Sequence, residues 1–231
     1  MLILDGLKLE QDGFSISADF GVDAGNKVAI IGPSGAGKST LLNGIAGFLE
    51  PAAGRVLWKG ADLGGTTPGD RPMSMIFQDN NLFPHLSVYQ NVAIGVQPSL
   101  RLSGAETDLV RQALDRVELG GMAERKPAQL SGGQQSRVAL ARVLARARPL
   151  LLLDEPFAAL GPALRVGMLD LVAELVEMTG ATLLMVTHDP GDAQRIADQT
   201  VFVDAGVANG PVNTTQLLSD PPAGMRDYLG V

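Results

Sequence analysis

Three short apolar runs, each closed by a turn residue, frame the chain: Lys27–Ile31 before Gly32, residues 150–153 before Asp154, and Thr182–Val186 before Thr187. Unbroken apolar runs of this length read as strands buried on both faces, and helical spacing lies between them. That alternation predicts an α/β fold built on a mostly parallel sheet with helices on both sides, where ligands gather at the carboxyl ends of the strands. Ahead of the first run, residues 2–9, 14–20 and 55–58 predict a small antiparallel sheet, with Lys59-Gly60 as a hairpin turn. From about residue 83 to 148 the strand signals vanish, and residues 106–119 and 136–147 carry helical spacing. This predicts a helical insert at 83–148 between two parts of an α/β core, 1–82 and 149–231. Val201-Phe202-Val203, running into Asp204-Ala205-Gly206, predicts a late strand, and residues 214–218 a short helix.

Composition narrows the classes. With 231 residues, 45% hydrophobic and 19% charged, the chain is globular rather than disordered, collagen-like or coiled-coil. Its 18 Lys and Arg against 25 Asp and Glu leave a net charge of −7, so no electrostatic footprint for nucleic acid or anionic lipid exists and any polyanion must be held locally. The absence of cysteine removes disulfides, thiolate catalysis and Cys-based metal sites. Met1-Leu2-Ile3-Leu4-Asp5 has neither the basic nor the apolar region of a signal peptide, and no apolar run approaches the roughly 18 residues a spanning helix needs. A cytoplasmic location with at most a peripheral membrane role is expected.

The chemistry is concentrated at strand ends. Gly32-Pro33-Ser34-Gly35-Ala36-Gly37-Lys38-Ser39 satisfies the P-loop pattern and stands between a predicted strand and a helix predicted over 40–48. Glycines let backbone N–H groups wrap phosphate oxygens, Lys38 is placed for the β- and γ-phosphates and Ser39 for Mg²⁺, and the helix start near Thr40 adds its partial positive charge. At the end of a leucine strand, Asp154 and Glu155 have no packing reason to be there. Asp154 suits a hold on Mg²⁺ through water, and Glu155 an attacking water. Ser131, ahead of Gly132-Gly133-Gln134 and the apolar positions Val138 and Leu140, is a natural helix N-cap.

Taken in order, the P-loop, the run Leu130-Ser131-Gly132-Gly133-Gln134 and Leu150-Leu151-Leu152-Leu153-Asp154-Glu155-Pro156 resemble the ATPase subunits of ABC transporters. The resemblance implies an ATP- and Mg²⁺-dependent P-loop cassette with a RecA-like core, a small antiparallel subdomain and a helical subdomain, the whole of 1–231 being one nucleotide-binding domain. It implies a head-to-tail homodimer in which Ser131, Gly132, Gly133 and Gln134 of one chain close over the γ-phosphate held by the other. A helix N-terminus that finds no anion in its own chain agrees with that role. Gln78 matches the family's glutamine that contacts Mg²⁺ and senses the membrane partner, and His188 in Thr187-His188-Asp189 matches the histidine that contacts the γ-phosphate and the water.

Three blocks, Asn43-Gly44-Ile45-Ala46-Gly47-Phe48-Leu49, the stretch from Phe77 through Gln78 and His85 to Val88, and Leu183 through His188, resemble the ATPases of bacterial thiamine importers. They imply uptake of thiamine or thiamine diphosphate through membrane permease subunits, a periplasmic thiamine-binding protein as an indirect partner, and a peripheral position on the cytoplasmic face of the inner membrane. Import of another small solute, or a non-transport ABC ATPase, is the alternative. The same resemblance implies a stand-alone cassette without regulatory extension.

Two departures stand out. Gly161 occupies the place of the family's aspartate after the catalytic strand, and only Phe14 is near the position of its adenine-stacking aromatic, so looser site coupling and weaker base selectivity are expected. His85 reads as a surface or partner-facing residue, and neither histidine has a neighbour at metal-ligand spacing. Arg137, Arg142, Arg146 and Arg148 read as cations at a helix C-terminus rather than a nucleic-acid patch.

Overall fold

A computed structural model describes residues 1–230. The chain runs β1 (Leu2–Gln11), β2 (Phe14–Val22), β3 (Lys27–Ile31), α1 (Lys38–Ala46), β4 (Ala53–Trp58), β5 (Ala61–Asp62) and β6 (Met73–Ile76). It then turns helical with α2 (Val88–Val96), α3 (Gly104–Arg116) and α4 (Gly132–Arg146). It returns to alternation with β7 (Leu150–Asp154), α5 (Pro162–Thr179), β8 (Thr182–Val186), α6 (Pro190–Ile196) and β9 (Gln199–Asp204), and closes with β10 (Val207–Ala208), β11 (Val212–Asn213), α7 (Thr214–Ser219) and α8 (Ala223–Leu229).

The strands of the described residues join into one sheet of two characters. β9-β3-β8-β7-β6 are parallel neighbours, and β5-β4-β1-β2 are antiparallel neighbours attached through β10. The apolar runs become the central parallel strands because both of their faces are covered. Ala29, Ile31, Leu151, Leu153, Leu183 and Met185 enter a core shared with α2 to α6, while Val28, Ile30, Leu150, Leu152, Leu184 and Val186 enter one shared with α1 and the antiparallel strands. Successive residues of a strand point to opposite faces, so one leucine run feeds two cores. In β1 the buried positions shift phase from Leu2 and Leu4 to Leu7 and Leu9, and the pairing with β2 slips between Leu4 and Leu7 to keep all four inside.

Boundaries depart from the expected ones where a cap decides. The helix expected over 40–48 is α1, stopped by Gly47 in a left-handed turn (φ 86) whose N–H returns to the Asn43 and Gly44 carbonyls. The helices expected over 106–119 and 136–147 begin earlier, at Gly104 and Gly132, because Ser103 and Ser131 each accept from the amide three residues on. α2, hidden by its β-branched composition, starts at an equivalent Ser87–Gln90 box, and α6 at Asp189 followed by Pro190. No helix among the described residues is long and apolar enough to cross a membrane.

Candidate functional site

Strand register brings the predicted chemistry to one edge. Ile30 and Asp154 both pair with Val186, and Ile76 pairs with Leu153, so the loops after β3, β7, β8 and β6 emerge side by side. The P-loop follows β3 directly. Gly32 (φ 152) passes so close to β9 that a Cβ would lie 2.1 Å from the Val203 carbonyl oxygen, and Gly37 (φ 102) packs so tightly on the Phe14 ring that a Cβ would lie 2.7 Å from it. Neither position admits a side chain. Lys38 is buried, and its Nζ donates to the Gly32 and Pro33 carbonyls at 2.8 Å each. Burial pulls its pKa below the ordinary lysine value against the opposing charges of Glu155 and Asp154.

Ser39 Oγ donates to Asp154 Oδ1 at 3.0 Å. Burial raises the Asp154 pKa, assisted by the Glu155 charge and opposed by the Ser39 hydrogen bond and Lys38. Glu155 stands in the left-handed region (φ 44), with its N–H donating to the Val186 carbonyl at 3.1 Å. Such a conformation costs a non-glycine residue on the order of 1–3 kcal/mol and is found where the surroundings impose it. Its Oε2 lies 3.1 Å from His188 Nδ1. A cavity of about 490 Å³ is lined by Ser34, Gly35, Gly37, Lys38, Ser39 and Thr40, together with Gln78 from the end of β6, Glu155, and Gln11, Asp12 and Phe14 from the β1–β2 hairpin. Phe14 thus sits in the site, beneath Gly37.

The Ser131 to Gln134 segment is not part of that cavity. Ser131 caps α4, accepting from the Gln134 amide at 3.3 Å while the Gln134 side chain accepts from the Ser131 N–H at 3.0 Å. It borders a separate hollow of about 470 Å³ with Glu118, Arg137 and Leu164. Gly161 is the N-cap of α5 and offers no side-chain cap, with Pro162 following. His85 is exposed and stacks edge-on with the exposed Phe83. Among the described residues no group of three His, Cys, Asp or Glu forms a metal cage.

Of the arginine run, Arg146 stands in the last turn of α4 as expected, while Arg137 and Arg142 lie further back along the helix and are spent otherwise. Arg137 donates to the Val117 carbonyl and pairs with Glu118, Arg142 donates to the Asn91 and Asn81 carbonyls, and Arg146 donates to Gly69. They staple other segments onto α4. Composition also gave no hint of a network behind His188. Thr187 Oγ1 donates to Asp192 Oδ2 at 2.8 Å, Arg165 Nε to the same oxygen at 3.0 Å, and Tyr228 Oη to the His188 carbonyl at 2.5 Å. Only the Asp189-Pro190 start of α6 marks that region in the sequence.

A family model described as "ABC transporter" matches residues 17–158. The chain is 56% identical over 230 residues to a protein of Cereibacter sphaeroides named thiamine import ATP-binding protein ThiQ, covering 100% of both chains. It is 48% identical to a protein of the same name from Yersinia pestis, covering 100% of this chain and 98% of that one. Among solved structures it resembles the dimeric ATP-binding cassette MJ0796 in a post-hydrolysis state with ADP and Pi, at a TM-score of 0.80 and 30% identity over 93% of this chain and 99% of that one.

Proposed function

Because the chain belongs to the ABC transporter family, whose ATP-binding subunits are ATPases, we propose that it powers the import of thiamine or thiamine diphosphate through a membrane permease. The observation that carries the reading is the convergence of Lys38, Ser39, Glu155 and Gln78 on one cavity at the carboxyl ends of parallel strands, with Asp154 bonded behind Ser39 and His188 against Glu155. The names of full-length relatives supply the substrate; no residue here is assigned to thiamine itself.

The site fits MgATP on its own geometry. Gly32 and Gly37 let the loop pack on Val203 and Phe14 with no room for a side chain, which fixes the loop around the cavity, and Lys38 is a buried ammonium held on carbonyl oxygens that a phosphate can replace. Residues 32–40 would hold the phosphates. Ser39, Gln78 and, through water, Asp154 would hold Mg²⁺, all hard oxygen donors suited to that ion. When bound, the metal neutralises the β- and γ-phosphate charge. Glu155 takes the proton of the attacking water, and His188 steadies Glu155 and reaches toward the γ-phosphate. Ser131, Gly132, Gly133 and Gln134 complete the phosphate shell of a second copy in a head-to-tail homodimer, a role open to the capped start of α4 because its first turn carries no acidic residue.

Closure then depends on contacts made only in the paired state, and hydrolysis reopens it. The helical segment 83–148, which carries Ser131, is read as an arm on the core of 1–82 and 149–231. The permease docks near Gln78, a periplasmic thiamine-binding protein delivers solute on the far side, and the chain sits peripherally on the inner membrane's cytoplasmic face. Labelled-thiamine uptake in cells lacking the gene, complemented with the parent chain or Glu155→Gln, tests the reading. Uptake is expected with the parent alone. Uptake that persists without the gene would overturn the substrate while leaving the ATPase intact.

A further inference from the structure

We propose that Tyr228, on α8, is a positioning residue for hydrolysis, its hydroxyl fixing the backbone of His188 so that the imidazole meets Glu155. Among the described residues the His188 carbonyl accepts a hydrogen bond from Tyr228 alone, at 2.5 Å. The residues on either side are already held. Thr187 is locked through its hydroxyl to Asp192 and Arg165, and Asp189 caps α6 by accepting from the Gly191 amide at 2.8 Å. Tyr228 supplies the missing restraint at the one position between them whose side chain must stay free for chemistry.

The phenol can do this because α8 is firmly seated on the sheet. Met225 is fully buried, Gly224 lies so near Asp204 that a Cβ would come within 2.3 Å of its carboxylate, and the Tyr228 ring packs on Phe202 of β9 with centroids 6.3 Å apart. β9 is the parallel neighbour of β3, which leads into the P-loop. The strand that supports the phosphate loop therefore also supports the group restraining His188. Burial, with Asp189 and Glu155 nearby, raises the Tyr228 pKa and keeps the hydroxyl a donor.

This inference rests on the reading of His188 given above, and Tyr228→Phe tests it, since the ring contact with Phe202 survives and only the hydroxyl goes. Steady-state hydrolysis should show kcat roughly three- to tenfold lower with KM for ATP unchanged, the size expected for one hydrogen bond. In the nucleotide-free chain, amide exchange of a peptide spanning residues 187–190 should quicken by a similar factor, with β3 and β8 unaltered and the melting temperature close to the parent's. Parent values of both kcat and exchange would overturn the proposal. His188→Ala separates the two claims: if it abolishes hydrolysis while Tyr228→Phe leaves it intact, the clamp alone fails, whereas parent-rate hydrolysis by His188→Ala removes the role of His188 and the clamp with it.

Discussion

His188 Nδ1 and Glu155 Oε2 meet at 3.1 Å, although the two residues leave the sheet on different strands and lie 33 positions apart. Their meeting follows from register, because Asp154 pairs with Val186, so that Glu155, one residue on, and His188, two residues on, leave the sheet at the same edge. The Glu155 side chain is mostly covered and the His188 side chain about half exposed, at 24% and 52%. Glu155 is thereby held by a partner that itself remains half exposed.

From that geometry, Glu155→Gln is expected to keep the His188 contact, since an amide oxygen also accepts, while losing the base. Hydrolysis should fall about 10²- to 10⁴-fold, with ATP binding retained and a closed dimer accumulating. Phosphate release and light scattering with MgATP check both parts. Turnover at the parent rate would remove Glu155 from the chemistry.

Asp154 gives a prediction with a definite sign in pH. Burial raises its folded-state pKa above the ordinary carboxylate value, so the ionised form costs the fold stability at neutral pH. That cost is absent below the unfolded pKa of about 4 and fully present above the folded one. Asp154→Asn, which still accepts from Ser39, should therefore melt higher than the parent near pH 7, by roughly 2–4 °C for each ~1 kcal/mol relieved. The gap should close toward pH 4 and below, while Mg²⁺-dependent hydrolysis is lost. Equal melting at both pH values would contradict the burial cost.

The strands and the phosphate loop are legible because short leucine and valine runs are closed by Gly32, Asp154 and Thr187, and the P-loop, Asp154 and His188 lie at or just past those closures. α2 is not, because Val88-Tyr89-Gln90-Asn91-Val92 is as apt for a strand as for a helix and only the Ser87 cap decides. The contacts of the α4 arginines are illegible for a related reason. Most of their acceptors are backbone carbonyls of segments up to 77 residues away, and carbonyls have no sequence signal. Tyr228 and Arg165 escaped notice on the same ground, being joined to the His188 loop by tertiary contact alone.

Arg142 shows what that staple is worth. It donates to the Asn91 carbonyl at 2.9 Å, to Asn91 Oδ1 at 3.0 Å and to the Asn81 carbonyl at 3.0 Å, and burial lowers its pKa to about 10, leaving it charged at neutral pH. Asn91 is wholly buried and in turn binds the Phe83, Leu86 and Ser87 carbonyls. Arg142→Met leaves several acceptors unmatched, so a loss of about 2–4 kcal/mol in urea unfolding is expected. Faster proteolysis between residues 79 and 91, the stretch following Gln78, should accompany it. The exposed Arg111, paired with Asp108 at only 3.9 Å, serves as control, and its alanine variant should stay within about 0.5 kcal/mol of the parent.

Gly133 separates the needs of the chain from the needs of the dimer. A Cβ at this position would come no closer than 3.6 Å to Leu164, an ordinary contact, and Gly133 lies inside α4 rather than in a left-handed turn. Among the described residues nothing within the single chain demands glycine there, and alanine should favour the helix by about 0.5–1 kcal/mol. If Gly133 exists to let a partner's nucleotide approach the start of α4, Gly133→Ala will melt at or above the parent temperature and bind ATP normally as a monomer, yet fail to pair or hydrolyse. Calorimetry, nucleotide titration and MgATP-dependent light scattering on one preparation decide it. A variant that pairs and turns over like the parent would place the partner's phosphate elsewhere, whereas one that melts well below the parent would make Gly133 a packing residue of the single chain against Leu164.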